Sequence, residues 1–177
     1  MAGAADAGRG LVVVATRPAA AQREHDLRAR IAALPASVVA LALSSSALAA
    51  HFALWGDAAP WGRAEVTGGV IAVFGLAVAL WAAAVFRAAG TPIAPSDRPA
   101  QLIEEGPYRF SRHPMYVGTV LTLLGAAISL GVPLLAVSAA LFAALVTTAH
   151  VPHEEALLAR RFGGWHRDYA GSVRPWL

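Results

Sequence analysis

The chain has 177 residues, of which 57% are hydrophobic and only 14% are charged. Soluble domains average about 45–50% apolar and about 25% charged residues, so this composition excludes an ordinary soluble surface and favours a chain that lipid partly covers. The absence of cysteine excludes disulfide bonds and thiolate metal sites, and the length allows a single domain.

Four apolar stretches are long enough, or nearly long enough, to cross a bilayer, for which a helix needs about 20 mostly apolar residues. They cover 31–55, 66–86, 115–130 and 132–150. The last two are separated by little more than Gly131 and Pro133, and a glycine followed by a proline suits a tight turn into a new helix. The sequence therefore predicts an all-α integral membrane protein with about four transmembrane helices, the last two forming a hairpin.

The basic residues predict the orientation of these spans. All 14 are arginines, and positive residues accumulate on the cytoplasmic side of a membrane protein. With four spans, the segment before the first span, the loop between the second and third spans, and the segment after the fourth span lie on the same side of the membrane. All arginines except Arg63, which lies between the first two spans, fall in these segments. We therefore expect both termini in the cytoplasm, with residues 1–30 as a cytoplasmic arm and 31–86 as the first two spans. A bilayer, rather than nucleic acid, is the expected partner.

Two predicted cytoplasmic segments carry more functional groups than a passive helix bundle needs. The first, at the mouth of the third span, contains Tyr108, Arg109, Arg112, His113 and Tyr116. Pro114 favours a helix start directly after His113, and the free backbone N–H groups of such a start suit an anion. Because the positive end of the helix dipole opposes a cation, we expect His113 to be neutral. The alternative is a simple interfacial anchor made of these side chains.

The second segment begins at the inner end of the fourth span with His150, His153, Glu154 and Glu155. Adjacent carboxylates at the edge of the hydrocarbon are costly unless they have partners or a function, although a solvated helix face would also explain them. Pro152 between the two histidines, and the lack of a third histidine ligand, argue against a metal site.

An apolar stripe follows at helical spacing and consists of Leu158, Phe162, Trp165 and Tyr169. Arg160, Arg161 and Arg167 lie off this stripe. The pattern predicts one amphipathic helix on the inner membrane surface. The glycine pair at 163–164 should weaken or bend it, since glycine is a poor helix former.

Both segments carry motifs in a fixed order. The first is Gly106-Pro107-Tyr108-Arg109 followed by Arg112-His113-Pro114-Met115-Tyr116-Val117-Gly118, and the second is Glu154-Glu155 with Leu158, Phe162-Gly163, Tyr169 and Val173. Together they resemble the pattern of the isoprenylcysteine carboxyl methyltransferase and phospholipid methyltransferase superfamily. The upstream Gly90-Thr91-Pro92 and Leu102 also fit its bacterial members. The resemblance covers about residues 87–177, which form the methyltransferase-like core.

The resemblance implies a membrane-embedded methyltransferase of the bacterial inner membrane, which uses S-adenosylmethionine and methylates a carboxylate or an amine of a lipophilic substrate. It also implies that the cytoplasmic segments fold over the cofactor. The residues implied to bind the cofactor are Arg112, His113, Tyr116, Gly118, Glu154 and Glu155, with Arg112 either holding the cofactor carboxylate or supporting the loop. The residues implied to act on the acceptor are Tyr108, Arg109 and Arg174. No metal is implied.

The chain departs from the family pattern at two places. Val173-Arg174-Pro175-Trp176 stands where the family usually has Val-Pro-Arg-aromatic, which displaces the arginine by one position. His166 stands where a tyrosine is common after the Phe-Gly pair. Two other functions stay open: a non-catalytic lipid-binding or scaffold protein, and an NADPH-dependent enzyme similar to steroid reductases. The latter usually carry an acidic residue at the position of Thr119.

Overall fold

The computed structural model describes residue 27 and residues 34–57, 64–90 and 102–177, and all regular structure in these ranges is helical. The predicted N-terminal arm, apart from residue 27, and Arg63 lie outside the described residues. The helices are α1 (Ala36–Trp55), α2 (Glu65–Ala88), α3 (Pro114–Leu130), α4 (Pro133–Leu145), α5 (Val151–Phe162) and α6 (Gly164–Ser172). A 3-10 turn, Gly106–Arg109, precedes α3, and a π-helical turn, Val146–His150, joins α4 to α5.

Within the described ranges, three helices are long and apolar enough to cross a membrane: α1, α2 and the continuous run Pro133–Phe162. The other long apolar helix, α3, has 17 residues. At 1.5 Å per residue it rises about 26 Å, slightly less than the roughly 30 Å of a hydrocarbon core. The predicted all-α fold of a membrane protein is confirmed, and the third apolar stretch is as short as its sequence indicates.

The predicted hairpin joins α3 to α4. Gly131 ends α3 with a φ of 67°, a left-handed conformation that glycine adopts without a steric penalty. Pro133 then occupies the first turn of α4, where its missing N–H leaves no hydrogen bond unmade. α2 packs mainly against α3, and α1 packs mainly against α4, so the hairpin is the shared support of the first two helices.

The contact between α2 and α3 depends on four glycines, which are Gly68, Gly75, Gly118 and Gly125. A Cβ atom on Gly68 would lie 2.2 Å from the backbone nitrogen of Ser129. One on Gly118 would lie 2.6 Å from the backbone nitrogen of Ala79. Backbone atoms cannot yield as the end of a flexible side chain can, so the two helices approach this closely only because no side chain intervenes.

The helix of the fourth predicted span continues beyond His150. α4 passes through the π-helical turn directly into α5, and the helical run continues to Phe162. Pro152 lies in the first turn of α5, where it cannot donate a backbone hydrogen bond to the preceding turn. A widened π turn accommodates such a defect without breaking the helix.

The apolar stripe predicted over 158–169 is divided between two helices. Gly163, with a φ of 55°, ends α5 and starts α6, so the expected break at the glycine pair is confirmed. The single amphipathic helix is wrong, because the turn at Gly163 changes the direction in which the later side chains point. Trp165 is 57% exposed, whereas Tyr169 is 6% exposed.

Gly68→Ala should destabilise the protein, because the new methyl group would overlap the α3 backbone at Ser129. Overpacking of this kind costs about 1–3 kcal/mol. Gly69→Ala is the matched control, since a Cβ there meets no atom within 4 Å and alanine is the better helix former by about 1 kcal/mol. Thermal unfolding in detergent should give a lower midpoint for the first variant only. Equal midpoints would contradict the close packing of α2 on α3.

Candidate functional site

A cavity of about 420 Å³ lies where the 3-10 turn, the start of α3, α5 and α6 meet. This volume is within the range of about 300–1,000 Å³ that small-molecule sites usually have. Its polar lining consists of Ser37, Tyr108, Arg112, His113, Tyr116, Thr119, Glu154, Glu155, His166 and Tyr169. The apolar lining includes Ala36 from α1, Leu80 from α2 and Phe142 from α4. The cavity therefore combines a charged region with contacts to three apolar helices.

Charged groups that precede α3 and groups on α5 form one connected network in this cavity. Arg112 Nη2 donates to Glu155 Oε1 over 2.7 Å, and His113 Nε2 lies 3.4 Å from the same oxygen. His113 Nδ1 lies 3.4 Å from Glu154 Oε2. The Tyr116 hydroxyl, one turn into α3, donates to the other oxygen of Glu154. The two polar segments of the sequence thus meet side chain to side chain.

The surroundings of His113 correct the expectation of a neutral imidazole. Burial favours the neutral ring and lowers its pKa, but the interactions with Glu154 and Glu155 outweigh burial, so the pKa of His113 is raised above its ordinary 6.5. A ring protonated on both nitrogens can donate to both carboxylates. The opposing helix dipole contributes about 0.3–1 kcal/mol, which is too little to outweigh two adjacent carboxylates.

Arg112 ties the C-terminal segment to the site. Its Nη1 donates to the backbone carbonyls of Ala170, at 2.8 Å, and Val173, at 3.1 Å. Its backbone N–H donates to the carbonyl of Arg174 over 2.9 Å. These three bonds tie the segment before α3 to the end of the chain. Nη1 and Nη2 of Arg112 therefore both have partners, the latter in Glu155. Its Nε is buried and has no hydrogen-bond partner.

Two buried tyrosines hold the 3-10 turn against α6 and α2. The Tyr169 hydroxyl donates to the backbone carbonyl of Tyr108 over 2.8 Å, and the Tyr108 ring lies 5.3 Å from the ring of Phe86. Burial raises the pKa of Tyr169 to about 12 and raises the pKa of Tyr108 further. Both phenols are therefore protonated at neutral pH, and they can donate hydrogen bonds but cannot act as bases.

Six of the nine predicted site residues line the cavity: Tyr108, Arg112, His113, Tyr116, Glu154 and Glu155. The other three lie elsewhere. Arg109 and Arg174 are exposed, and Arg109 borders a separate surface depression beside Glu104. Gly118 is buried against the α2 backbone. In this structure its missing side chain makes room for α2, and Gly118 is not among the residues that line the cavity.

His166 is the lining residue to which sequence reasoning assigned no role. Its side chain is 6% exposed, and its Nε2 is shielded from solvent without a hydrogen-bond partner. Burial lowers the pKa of His166; Glu155 opposes this effect, whereas Arg112 and His113 reinforce it. The available signal was the replacement of a common tyrosine by histidine. Within the described ranges, no three His, Asp or Glu side chains are placed to hold a metal ion.

The raised pKa of His113 predicts that stability depends on pH. A group whose pKa is higher in the folded state stabilises that state below its unfolded pKa, and the contribution is lost as pH rises through the folded pKa. The thermal midpoint in detergent should therefore fall as pH rises from about 6 to 9. His113→Gln should lack this fall, whereas His153→Gln, outside the cavity lining, should keep it. An equal fall in all three proteins would contradict the raised pKa.

Comparison with known proteins adds one finding. A family model described as phospholipid methyltransferase matches residues 64–164, which is more than half of the 177 residues. The matched range runs from the start of α2 through the hairpin and α5 to the first residue of α6, and it includes both carboxylates of the network. The curated proteins and the solved structures contain no significant match to the chain.

Proposed function

Because the chain belongs to the phospholipid methyltransferase family, we propose that it is a membrane enzyme that transfers a methyl group from S-adenosylmethionine to a lipophilic acceptor. One observation carries the proposal. A single cavity brings together the Arg112-His113 segment and the Glu154-Glu155 pair, and α1 and α2 also line it. His113 and Glu155 are 42 positions apart in the sequence. A charged cofactor needs such polar groups, and a lipophilic acceptor needs an apolar approach.

The polar lining matches the chemistry of S-adenosylmethionine, which carries a carboxylate, an ammonium, ribose hydroxyls and a sulfonium cation. The buried and unpartnered Nε of Arg112 can donate to the carboxylate. The carboxylates of Glu154 and Glu155 can accept hydrogen bonds from the ammonium or the ribose. The stacked rings of His113 and Tyr116, 5.7 Å apart, offer a flat surface, and an aromatic face of this kind attracts a cation.

When bound, S-adenosylmethionine supplies a methyl group activated by the sulfonium. The residues of the chain bind it, orient the acceptor for an in-line displacement and exclude water, and this reaction requires no metal. With His113 protonated, the two cations of the network balance the two carboxylates. Buried charges that are paired and hydrogen-bonded avoid most of the cost of desolvation, so the polar region keeps its geometry at the membrane edge.

The acceptor approaches from the bilayer in this proposal. α1 packs mainly on α4 and α2 mainly on α3, and the cavity is lined by residues at the start of α1 and by Ala79 and Leu80 of α2. An apolar tail can therefore lie between two membrane helices while its head group reaches the charged region. Both carboxylate and amine head groups are compatible with this route.

Glu154→Gln should weaken binding of S-adenosylmethionine by about 1.5–3 kcal/mol, the scale of a hydrogen bond to a charged group. Glutamine keeps an oxygen that can accept from Tyr116, so the change removes mainly the charge. Glu105→Gln, at an exposed position outside the cavity, is the matched control. Calorimetry in detergent measures both affinities, and equal affinities would contradict the placement of the cofactor.

The same calorimetry separates the alternative functions. Binding of NADPH in place of S-adenosylmethionine would favour the steroid-reductase-like reading, and binding of neither would favour a scaffold.

We propose four spans with both termini in the cytoplasm, in the inner membrane of a bacterium. The hairpin and the arginine distribution support this topology, since Arg112 and the basic residues of α5 then share one side. Reporter fusions at residue 60 and after Leu177 should report opposite sides of the membrane. A shared side would contradict four spans and would indicate that the short α3 does not cross.

A further inference from the structure

Resting on the proposed function, we propose that His166 is the general base of the methyl transfer, and that the acceptor atom carries a proton before it is methylated. Amine nitrogens and hydroxyl oxygens belong to this class. A carboxylate does not, since it is already a free nucleophile at neutral pH.

The first observation is an unsatisfied nitrogen. His166 lines the cavity, its side chain is 6% exposed, and Nε2 has no hydrogen-bond partner among the described residues. A buried polar atom without a partner costs about 1–3 kcal/mol, and native proteins keep few of them without a functional reason. A ligand that binds in the cavity and meets Nε2 would supply the missing partner.

The second observation is that the other titratable groups of the cavity are engaged. Arg112 and His113 are paired with Glu154 and Glu155. Tyr116 donates to Glu154. Burial raises the pKa values of Tyr108 and Tyr169, which keeps both phenols protonated. The unpartnered Nε of Arg112 can only donate. Among the uncharged titratable groups of the described lining, His166 is therefore the one with a free atom able to accept a proton. Glu155 is a weak base, because its hydrogen bond with His113 lowers the pKa of its carboxyl group.

The third observation is the charge around His166. Burial disfavours its protonated form, and the positive groups of Arg112 and His113 add to this effect, while Glu155 acts in the opposite direction. The net result is a lowered pKa, so the imidazole is neutral at neutral pH and ready to accept a proton. His113 has its pKa raised by the same carboxylate pair. The pKa values of two histidines in one cavity are thus shifted in opposite directions, as separate binding and base roles require.

The position of His166 is also fixed by its own helix. α6 is anchored by the bonds from Arg112 to the carbonyls of Ala170 and Val173, and by the bond from Tyr169 to Tyr108. A base must lie within hydrogen-bond reach of the proton that it removes. These bonds hold the imidazole close to the charged network without using its Nε2.

An alkylamine is an ammonium without a lone pair at neutral pH, so loss of a proton to His166 Nε2 would free the lone pair of an acceptor nitrogen. This lone pair, or that of a hydroxyl oxygen, would form the new bond to the methyl carbon, and the electrons of the broken carbon–sulfur bond would stay on sulfur, which becomes neutral. His166 Nε2 takes the proton that the acceptor atom loses, so the positive charge passes from the sulfonium to the imidazolium. The imidazolium then returns its proton to water, and no further reactant is needed.

His166→Gln tests the proposal, because glutamine keeps hydrogen-bonding capacity but cannot titrate near neutral pH. His153→Gln, on α5 but outside the cavity lining, is the control. The acceptor probes are dodecylamine, dodecylphenol and dodecanoic acid in detergent with S-adenosylmethionine. We expect wild type to methylate the amine or the phenol, with kcat/KM rising with pH and levelling below the ordinary pKa of histidine. His166→Gln should lower kcat by about 10²- to 10⁴-fold and remove this rise, with KM and cofactor affinity little changed.

A second readout does not depend on turnover. In protein labelled with ¹³C-histidine, the imidazole signal of His166 is the one that disappears in His166→Gln. The pKa obtained from this signal should lie below the ordinary range of histidine. The signal should also shift when dodecylamine or dodecylphenol is added, but not when dodecanoic acid is added.

Three results would overturn the inference while leaving the proposed function standing. In the first, His166→Gln retains both kcat and its pH dependence. In the second, the wild-type protein methylates dodecanoic acid alone. In the third, His166→Gln loses cofactor affinity without a change in kcat. The last result would make His166 a cofactor contact. Wild-type protein that does not bind S-adenosylmethionine would instead overturn the proposed function, and with it the assignment of a base.

Discussion

Two carboxylates on α5 lie against the arginine and the histidine that precede α3, in a region where an unpaired charge would be poorly solvated. The Arg112–Glu155 pair has side-chain exposures of 11% and 27%, so both charges depend mainly on each other and on His113. Removal of either partner would leave the other charge partly shielded from water without its counter-ion. The charge pairing therefore fixes how the start of α3 lies against α5, and this arrangement defines one side of the cavity.

The π-helical turn brings the rest of the apolar lining into place. His150, at the end of that turn, is fully buried, and its Nε2 donates to the backbone carbonyl of Leu34 over 3.0 Å. Pro35 and Ala36, which follow directly, line the cavity. The turn that lets α4 continue through Pro152 thus also anchors the start of α1 beside the charged network. π turns are frequent at functional sites for this reason: one extra residue changes which side chains face inward.

The glycine contact between α2 and α3 contributes in a different way. The missing side chain at Gly118 lets Ala79 come close to α3, and Ala79 with Leu80 forms part of the cavity lining. Gly118 thus shapes the site through α2, without touching the cavity itself. A glycine inside a functional motif is easily assigned to ligand binding, and only the neighbouring helix shows which close approach it permits.

Local sequence specifies the helical membrane fold, the hairpin turn at Gly131, the break at Gly163 and the residue types of the charged network. These features follow from hydropathy, glycine and proline conformation, and motif chemistry, all of which act over short stretches of chain. Only the fold raises the pKa of His113, because its two carboxylate partners come from α5. It also decided that Arg112 binds the C-terminal backbone, and that His166 is buried with a free nitrogen. Burial, charge pairing and pKa depend on neighbours distant in sequence, and no local pattern of residues specifies which groups will meet.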